Sequence, residues 1–512
     1  MKLAISFFLN LLAVIFFTTQ CTPRSKNAMT SSTELQKNPS KAVVIAVPKK
    51  NLNLDPHSLE DLYSMFATLQ VHRSLFRYQP DGTLKNDLVE TWDVSDDRKI
   101  YSFRLANYSF SDGTPITASH VEQSLKRLFF KKASISSDMS YILNSEKKDI
   151  SQLAVKALDD KNFEIRLKKP TKFLITHLAL MDSSILKLSK FDEEYDITSL
   201  TALSGHYQIV KFEEKALHLK SRKLGNPKAP ADVVIRTVPI EDAAKLAIAG
   251  ELDSVDVYPL DVATIQQLQV MGWITHSTSL VAENFLIANP AKLKRKTREF
   301  LFQSVDISKT LEKLKGSFFS EAFGMIPPLL PGFLKEKSWS DWVGTQGDVG
   351  TIQENVELDY SASSQVSKLI AEDLQNQWKS KGLQVKLNAL DLEVYFDHLF
   401  SKKSALILAV KGMDYPDGYS NLAYFVSDVP ANYFPVENSS LDVQLKELPY
   451  ELDDDKRIKK YENLQRELLK QMTFRPLLFG NAYSGMWSGV FAKVPEHPMG
   501  LQFLALDELE VR

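Results

Sequence analysis

The sequence predicts a mixed α/β protein built from about three domains or two large lobes. Helical and strand patterns alternate along the whole chain, which is typical of this class. The length of 512 residues sets the number of domains, at roughly 150 residues for each. Hydrophobic residues make up 44% of the chain, which is enough to bury a large core and excludes disorder as the main state.

Charge and cysteine content exclude several functional classes. Lys and Arg number 62 and Asp and Glu 64, so the net charge is −2 and a dedicated nucleic-acid binder is not expected. The sequence has one long apolar run, so a polytopic membrane protein is excluded. The single cysteine excludes internal disulfides, CxxC redox chemistry and multi-cysteine metal sites.

The first forty residues have the pattern of an export signal followed by a tether. A basic dipeptide precedes a largely apolar run of fifteen residues, which is shorter than the about 20 residues of a membrane span. The lone Cys21 follows, an arrangement that resembles a bacterial lipoprotein signal, with Gln20 where that pattern has Gly, Ala or Ser. The resemblance implies a signal peptide at 1–20, lipidation of Cys21 and a polar tether at 21–40. A free buried thiol and an uncleaved anchor are the alternatives.

Strands are predicted where apolar residues run together or alternate with polar ones. Residues 43–47 form a continuous apolar run, typical of a buried strand. Further strands are predicted at 101–105, 163–167, 233–235 and 383–389.

Helices are predicted where apolar residues recur every three or four positions. Thr117 and Asp453 are placed to start two of these helices, whereas Gly250 and Gly382 are placed to end two others. The predicted helical segments are 60–76, 117–129, 241–250, 366–378 and 453–472.

No motif for catalysis stands out. The nine histidines are scattered without a metal-binding cluster, and no GxSxG, Walker or GxGxxG motif occurs. Ser145 and Lys148 form an S-x-x-K match, which a chain of this length produces by chance. We interpret the basic run at 292–298 as a solvated helix start. We therefore expect no catalytic residue, no metal site and no cofactor, and we do not expect an enzyme.

A set of spaced identities carries a family resemblance from about residue 43 to the C-terminus. The chain resembles the oligopeptide, dipeptide and nickel binder family of solute-binding proteins that serve ABC importers. The matching positions are Leu88, Glu90, Trp92, 94–97, 110–118, Val121, Ser124, Arg127, 250–253, Asn289, 326–328, 331–332 and 453–478.

The segment 413–417 resembles the W-x-x-D-Y pattern of the family's peptide binders, whose aspartate holds the ligand's α-ammonium. The matching aspartate is Asp414, and Lys411 stands in place of the tryptophan. The resemblance implies that Asp414 contacts the ligand, and Lys411 is a candidate partner for a ligand carboxylate because no arginine lies in this part of the chain. Tyr415 and Tyr419 are candidate aromatic contacts. The alternatives are a turn start for Asp414, a surface position for Lys411 and core packing for the tyrosines.

The resemblance also implies the architecture, a two-lobe periplasmic-binding-protein type II (cluster C) fold with a hinge and an extra subdomain on lobe 1. Lobe 1 is expected at 41–77, 201–288 and 487–512. The extra subdomain is expected at 78–200 and lobe 2 at 289–486.

The function implied is that of an extracytoplasmic lipoprotein that captures peptides by hinge closure and delivers them to an ABC importer. The expected partners are a peptide ligand, an ABC permease and a membrane, reached through the lipid anchor. We expect a monomer in the cell envelope, in the periplasm or on the outer surface. The alternatives are a binder of an oligosaccharide, opine or metal complex and, from a different class, a lipid-anchored envelope hydrolase or sensor.

Overall fold

The structure is a computed structural model of the 512-residue chain. It describes residues 42–48, 51–59, 61–194, 202–256, 262–277, 280–314, 319–335, 339, 352, 355–362, 364–427, 439–481, 484–495, 497 and 499–512. The predicted signal peptide, Cys21 and the predicted tether lie outside the described residues.

The described strands and helices are numbered in chain order. The strands are β1 (Val43–Val47), β2 (Phe76–Tyr78), β3 (Leu84–Asn86), β4 (Val89–Val94), β5 (Ile100–Leu105), β6 (Val155–Ala157), β7 (Asn162–Arg166), β8 (Tyr207–Glu213), β9 (Ala216–Ser221), β10 (Asp232–Thr237), β11 (Ser254–Asp256), β12 (Ile274–Ser277), β13 (Leu280–Ala288), β14 (Phe319–Glu321), β15 (Val356–Ser361), β16 (Val385–Leu390), β17 (Leu406–Lys411), β18 (Phe474–Asn481), β19 (Ser484–Trp487), β20 (Phe491–Lys493) and β21 (Glu510–Val511). The helices are α1 (Leu62–Val71), α2 (Ala118–Phe130), α3 (Phe173–His177), α4 (Ile240–Ile248), α5 (Val262–Val270), α6 (Arg295–Gln303), α7 (Ile307–Leu314), α8 (Gln365–Ser380), α9 (Leu392–Phe400), α10 (Tyr419–Leu422), α11 (Ser439–Glu447) and α12 (Asp454–Lys470).

Lobe 1 is built on a seven-stranded sheet with the order β12-β19-β11-β1-β10-β9-β8. Its central strand β1 pairs in parallel with β10 on one side and β11 on the other. Alternate residues of β1 enter two different apolar clusters, Ile45 on one face of the sheet and Ala46 on the other. This burial on both faces explains the continuous apolar run and confirms the predicted strand.

The extra subdomain is a four-stranded sheet, ordered β4-β5-β7-β6, that packs against α2. Phe103 of β5 stacks on Phe163 of β7 at 4.8 Å between ring centroids. Thr117 lies at the N-cap of α2, where its backbone N–H donates to His120 Nδ1 at 3.1 Å. The predicted strands at 101–105 and 163–167 and the predicted helix after Thr117 are confirmed.

Lobe 2 is built on a six-stranded sheet with the order β14-β18-β13-β17-β15-β16. Helix α8 covers β15 and β16 and buries Leu374 and Trp378. The indole N–H of Trp378 donates to the Leu301 carbonyl at 2.8 Å, so this large side chain is buried with its polar atom satisfied. Gly382 follows α8 with φ of +90°, a value that favours glycine and ends the helix as predicted.

The chain passes between the two large sheets at two points. Strands β12 and β19 belong to the lobe 1 sheet, whereas β13 and β18 belong to the lobe 2 sheet. The sheet changes between Ser277 and Leu280 and again between Asn481 and Ser484, whereas the lobe boundaries expected from the sequence are 288 and 486. The fold is thus two α/β lobes linked by two strand-to-strand crossings, with the extra subdomain carried on lobe 1.

The extra subdomain and lobe 2 are in direct contact. Both contribute to one continuous apolar cluster, in which Phe173 lies 5.4 Å from Tyr419 between ring centroids. Thr171 Oγ1 donates to the buried carbonyl of Pro449 at 2.7 Å. The lobes therefore meet around an interior space. Among the described helices none is long and apolar enough to cross a bilayer.

Candidate functional site

A cavity of about 850 Å³ lies where lobe 1, the extra subdomain and lobe 2 meet, and we name it the interlobe cavity. Its volume is within the range of small-molecule and short-peptide sites. Apolar wall residues include Met65, Leu69, Phe129, Ile135, Met181 and Phe503. Its acidic interior residues are Asp138 and Asp182 from the subdomain and Asp414 from lobe 2, which we name the cavity carboxylates.

The loop that carries Asp414 is fixed from behind by helix α12. Tyr461 donates from its hydroxyl to Asp417 Oδ1 at 2.7 Å, and Arg457 lies 3.6 Å from the same carboxylate. The backbone N–H of Asp414 donates to Ser420 Oγ at 3.0 Å. A Cβ atom on Gly418 would lie 2.4 Å from the carbonyl oxygen of Pro331, so the chain requires glycine at this close approach. Side chains from α12 and a neighbouring loop thereby hold Asp414 at the cavity wall.

Asp414 keeps one carboxylate oxygen available. Tyr424 donates from its hydroxyl to Asp414 Oδ2 at 2.7 Å, and Lys411 Nζ is 4.0 Å from that oxygen. Oδ1 is buried and has no hydrogen-bond partner within the described chain. The Asp414 side chain is only 12% exposed, so this oxygen has lost water without gaining a protein donor. Burial raises the pKa of Asp414, and the charge of Lys411 and the Tyr424 hydrogen bond oppose this rise.

Lys411 lies behind Asp414 and is 3% exposed. Its ammonium donates to the Ser420 carbonyl at 2.6 Å and lies over the Tyr424 ring, 3.8 Å from the centroid. Glu283 on the neighbouring strand β13 is directly opposite Lys411 in the sheet register and is buried too. Burial lowers the pKa of Lys411 to about 8, against the opposing charges of Asp414 and Glu283. Lys411 is therefore placed as a counter-ion for carboxylates of lobe 2.

Tyr415 and Tyr419 lie behind the cavity wall rather than on it. Tyr415 is fully buried, and its ring meets His177 edge to face at 4.8 Å between centroids. Tyr419 packs on Phe173 of the extra subdomain. The Tyr415 hydroxyl does reach the cavity, because it donates to Asp138 Oδ2 at 3.4 Å. The structure thus brings the four predicted contacts into one region, with Asp414 on the cavity wall and the other three behind it.

Sequence reasoning missed Asp138 and Asp182. Asp138 lies in a loop after α2, and Asp182 is buried in a short turn where Ser134 Oγ donates to its Oδ1 at 2.9 Å. Burial raises the pKa of Asp138 to about 7 and that of Asp182 to about 6, and the charge of Asp414 adds to both shifts. Neither aspartate belongs to a recognisable motif, so only the folded chain identifies them as neighbours of Asp414.

The S-x-x-K match at Ser145 and Lys148 also lies on the cavity wall. Lys168 Nζ donates to Ser145 Oγ at 2.9 Å and pairs with Glu146 at 2.5 Å. Because this ammonium is already a donor to both neighbours, it is not arranged to take a proton from the serine. Across the described residues, no three His, Cys, Asp or Glu side chains form a group that could hold a metal ion.

Comparisons with known proteins agree with this architecture. The sequence model described as "Bacterial extracellular solute-binding proteins, family 5 Middle" matches residues 83–433. The periplasmic oligopeptide-binding protein OppA of Escherichia coli (strain K12) is 22% identical over 471 residues, which cover 83% of this chain and 85% of OppA. The probable D,D-dipeptide-binding periplasmic protein DdpA of the same strain is 23% identical over 467 residues, which cover 85% of this chain and 88% of DdpA.

Solved structures show the same fold. The murein tripeptide binding protein MppA of Escherichia coli superposes with a TM-score of 0.78 at 19% identity, covering 92% of this chain and 98% of MppA. Haemophilus influenzae OppA in complex with the peptide RPPGFSPFR superposes with a TM-score of 0.77 at 18% identity, and the match covers 93% of this chain and 100% of that OppA chain.

Proposed function

Because the chain belongs to family 5 of the bacterial extracellular solute-binding proteins, we propose that it captures peptides in the interlobe cavity and delivers them to an ABC importer. The observation that carries this proposal is the buried, unpartnered Oδ1 of Asp414 on the cavity wall. The relatives support the choice of ligand, since OppA is named for oligopeptide binding and its Haemophilus counterpart was solved with a bound peptide.

Asp414 has the chemistry that the amino end of a peptide needs. An α-ammonium that enters the space between the lobes loses water, so it needs a carboxylate within hydrogen-bond reach. Oδ1 supplies that acceptor, while Tyr424 and Lys411 hold the other half of the carboxylate in place. A ligand that contacts both Asp414 and the subdomain wall favours the arrangement in which the lobes close around it.

The carboxyl end of the peptide has basic partners among the exposed residues that line the cavity. Lys132, Lys147 and Lys148 line its rim and are exposed. These ammonium groups can pair with a carboxylate without a buried charge. We assign this role to the rim lysines rather than to Lys411, whose ammonium is already bound to Ser420 and lies beneath Tyr424.

Calorimetric titration of the wild-type protein with Ala-Ala-Ala and with its N-acetylated form tests the role of the ammonium. We expect the free tripeptide to bind and the acetylated one to bind at least tenfold more weakly, because removal of one partner of a buried charge pair costs about 2–5 kcal/mol. Asp414→Asn should weaken binding of Ala-Ala-Ala by a similar factor. Asp397→Asn is the matched control, since Asp397 forms an exposed pair with Lys403 in the same lobe, away from the cavity.

Equal affinity for the free and acetylated peptides would contradict the assignment of Asp414. Mass spectrometry of the ligand that co-purifies with the native protein tests the substrate class. Mixed short peptides are the expected result, whereas a sugar or an opine would overturn the proposal.

We further propose that Cys21 carries a lipid that anchors the protein to a membrane of the cell envelope. The support is the apolar run that ends just before this cysteine, followed by a polar segment long enough to act as a tether. Metabolic labelling with palmitate should be lost in Cys21→Ser. Unchanged labelling of that variant would refute the anchor.

A further inference from the structure

The interlobe cavity holds more carboxyl groups than one ammonium can pair. Its three carboxylates come from three separate segments of the chain, near residues 138, 182 and 414. They are close enough to influence one another, because the charge of Asp414 disfavours ionisation of both Asp138 and Asp182 and raises their pKa values. Three chain segments thus place carboxyl groups around the same cavity, at a cost in free energy that a structural role does not explain.

The protein offers these carboxylates few cationic side chains of its own. Asp138 receives a hydrogen bond from Tyr415 at 3.4 Å, which is long for a hydroxyl donor. Asp182 receives one side-chain hydrogen bond, from Ser134, and backbone N–H donors at Ile135 and at Asp182 itself complete its partners. In the part of the chain that the structure describes, Lys411 is the lysine placed closest to Asp414, and it also faces Glu283.

The lysines on the cavity rim do not neutralise the interior. Lys168 is paired with Glu146, whose side chain is 60% exposed. Lys132, Lys147 and Lys148 are exposed to solvent, where water and salt screen their charges. The cavity is therefore polarised, with an acidic interior and a basic rim.

The apolar part of the cavity wall is suited to a long aliphatic side chain. Met65, Leu69 and Phe129 face the same space as Asp138 and Asp182. Lysine, ornithine and arginine side chains lay their methylene groups along apolar surface and present a cation at the end. Such a side chain can pack its methylene groups on the apolar wall and pair its cation with Asp138 and Asp182.

We propose that Asp138 and Asp182 form a second cation subsite, which receives a basic side chain near the amino end of the bound peptide. This inference rests on the proposed function, because it places the α-ammonium of the same ligand at Asp414. The preferred ligands are then short peptides with lysine, ornithine or arginine close to the N-terminus. The rim lysines attract the carboxylate of the peptide, so the carboxyl end should face the rim and the amino end should face the interior of the cavity.

Titration of the full chain with Lys-Ala-Ala, Ala-Ala-Ala and Glu-Ala-Ala tests the subsite. We expect Lys-Ala-Ala to bind about tenfold more tightly than Ala-Ala-Ala, and Glu-Ala-Ala to bind more weakly than either. In the double variant Asp138→Asn/Asp182→Asn, the two peptides Lys-Ala-Ala and Ala-Ala-Ala should bind within about twofold of each other. The variant should fold, because it removes repulsion between carboxylates, and its thermal midpoint without ligand should not fall.

The outcomes separate the subsite from the proposed function. Equal affinity of the wild-type protein for Lys-Ala-Ala and Ala-Ala-Ala would overturn the subsite and leave peptide binding at Asp414 intact. No binding of any of these tripeptides would overturn the proposed function and the subsite with it. Stabilisation by Mg²⁺ or Ca²⁺ alone that disappears in the double variant would make the cluster a metal site and overturn the proposal. Retention of the lysine preference by the double variant would also refute it.

Discussion

Two groups of buried charges, the Arg127–Asp55 pair and the cavity carboxylates, differ in how they are paired. On the lobe 1 side, Arg127 of α2 donates to both oxygens of Asp55 at 2.8 Å each. At the interlobe cavity, Asp138 and Asp414 receive hydrogen bonds from tyrosine hydroxyl groups, and Asp182 receives them from Ser134 and from backbone N–H groups. Asp414 Oδ1 receives none from the described residues. The first group is a complete bidentate ion pair, whereas the second is an incomplete set of acceptors.

Relative to the ordinary value of an aspartate, the pKa of Asp55 is lowered, whereas the pKa values of Asp138 and Asp182 are raised. Burial tends to raise the pKa of Asp55, but the hydrogen bonds and charge of Arg127 outweigh it, so the net pKa is lowered. Burial raises the pKa values of Asp138 and Asp182, and Asp414 adds to the rise. A satisfied buried pair joins parts of the fold, whereas a carboxyl group with an unpartnered oxygen and neighbours of raised pKa at a cavity is typical of a binding site. The Arg127–Asp55 pair therefore serves structure, whereas the cavity carboxylates form the proposed ligand site.

The largest expected effect comes from breaking the satisfied pair. Arg127→Met leaves Asp55 buried without its partner, so we expect the free energy of unfolding to fall by about 3–5 kcal/mol. Urea denaturation measures this loss. The matched control is Arg104→Met, which breaks an exposed pair with Glu90 and should cost less than about 1 kcal/mol. Similar losses in the two variants would contradict the structural role of Arg127.

The second prediction uses pH to separate the two groups. Asp138 and Asp182 have raised pKa values in the folded chain, so the folded state binds more protons than the unfolded state between about pH 4 and pH 7. The stability of the ligand-free protein should therefore fall as the pH rises through this range. Asp55 has a lowered pKa, so its contribution is present above about pH 4 and is lost as the pH falls below that value.

Thermal unfolding of the ligand-free protein at a series of pH values from about 4.5 to about 8 measures this dependence of stability on pH, because that range spans the raised pKa values of Asp138 and Asp182. The Asp138→Asn/Asp182→Asn variant should lose stability less steeply with rising pH than the wild type. Buried histidines such as His57 and His177, whose pKa values burial lowers to about 3, add an opposite slope that both proteins share. The difference between the two proteins is thus the informative quantity, and parallel curves would contradict the raised pKa values.

The smallest expected effect concerns the support of Asp414. Tyr424→Phe removes the hydroxyl that donates to Asp414 Oδ2, so the carboxylate becomes harder to ionise and holds an ammonium less well. We expect about tenfold weaker binding of Ala-Ala-Ala, since a hydrogen bond to a charged group is worth about 1.5 kcal/mol or more. Tyr419→Phe is the control, because Tyr419 packs behind the wall on Phe173, and less than about twofold change is expected. An equal loss in both variants would place the effect in packing rather than in the carboxylate.

The fold was largely predictable from local patterns. The spacing of apolar residues predicts helices α8 and α12. Asp453 caps α12, because its side chain accepts a hydrogen bond from the Lys456 N–H at 3.0 Å. The sheet crossing before β13 was not predictable, because an apolar strand pattern fits the sheet of either lobe equally well. Sheet membership depends on pairing partners that are distant in the sequence.

The candidate site was predictable only in part. Asp414 was predicted because it matches a family motif, and the structure places it on the cavity wall. Asp138 and Asp182 have ordinary neighbours in polar loops, and only tertiary packing brings them to the same cavity as Asp414. The burial of Lys411 likewise depends on Ser420 and Tyr424, which reach it through the turn that follows.

A crystal structure of the protein with Ala-Ala-Ala tests the central claim most directly. We predict that the peptide lies in the interlobe cavity with its α-ammonium nitrogen within about 3 Å of Asp414 Oδ1. Its carboxylate should point toward the rim lysines. A peptide bound outside this cavity, or bound in reverse with its carboxylate next to Asp414, would contradict the account.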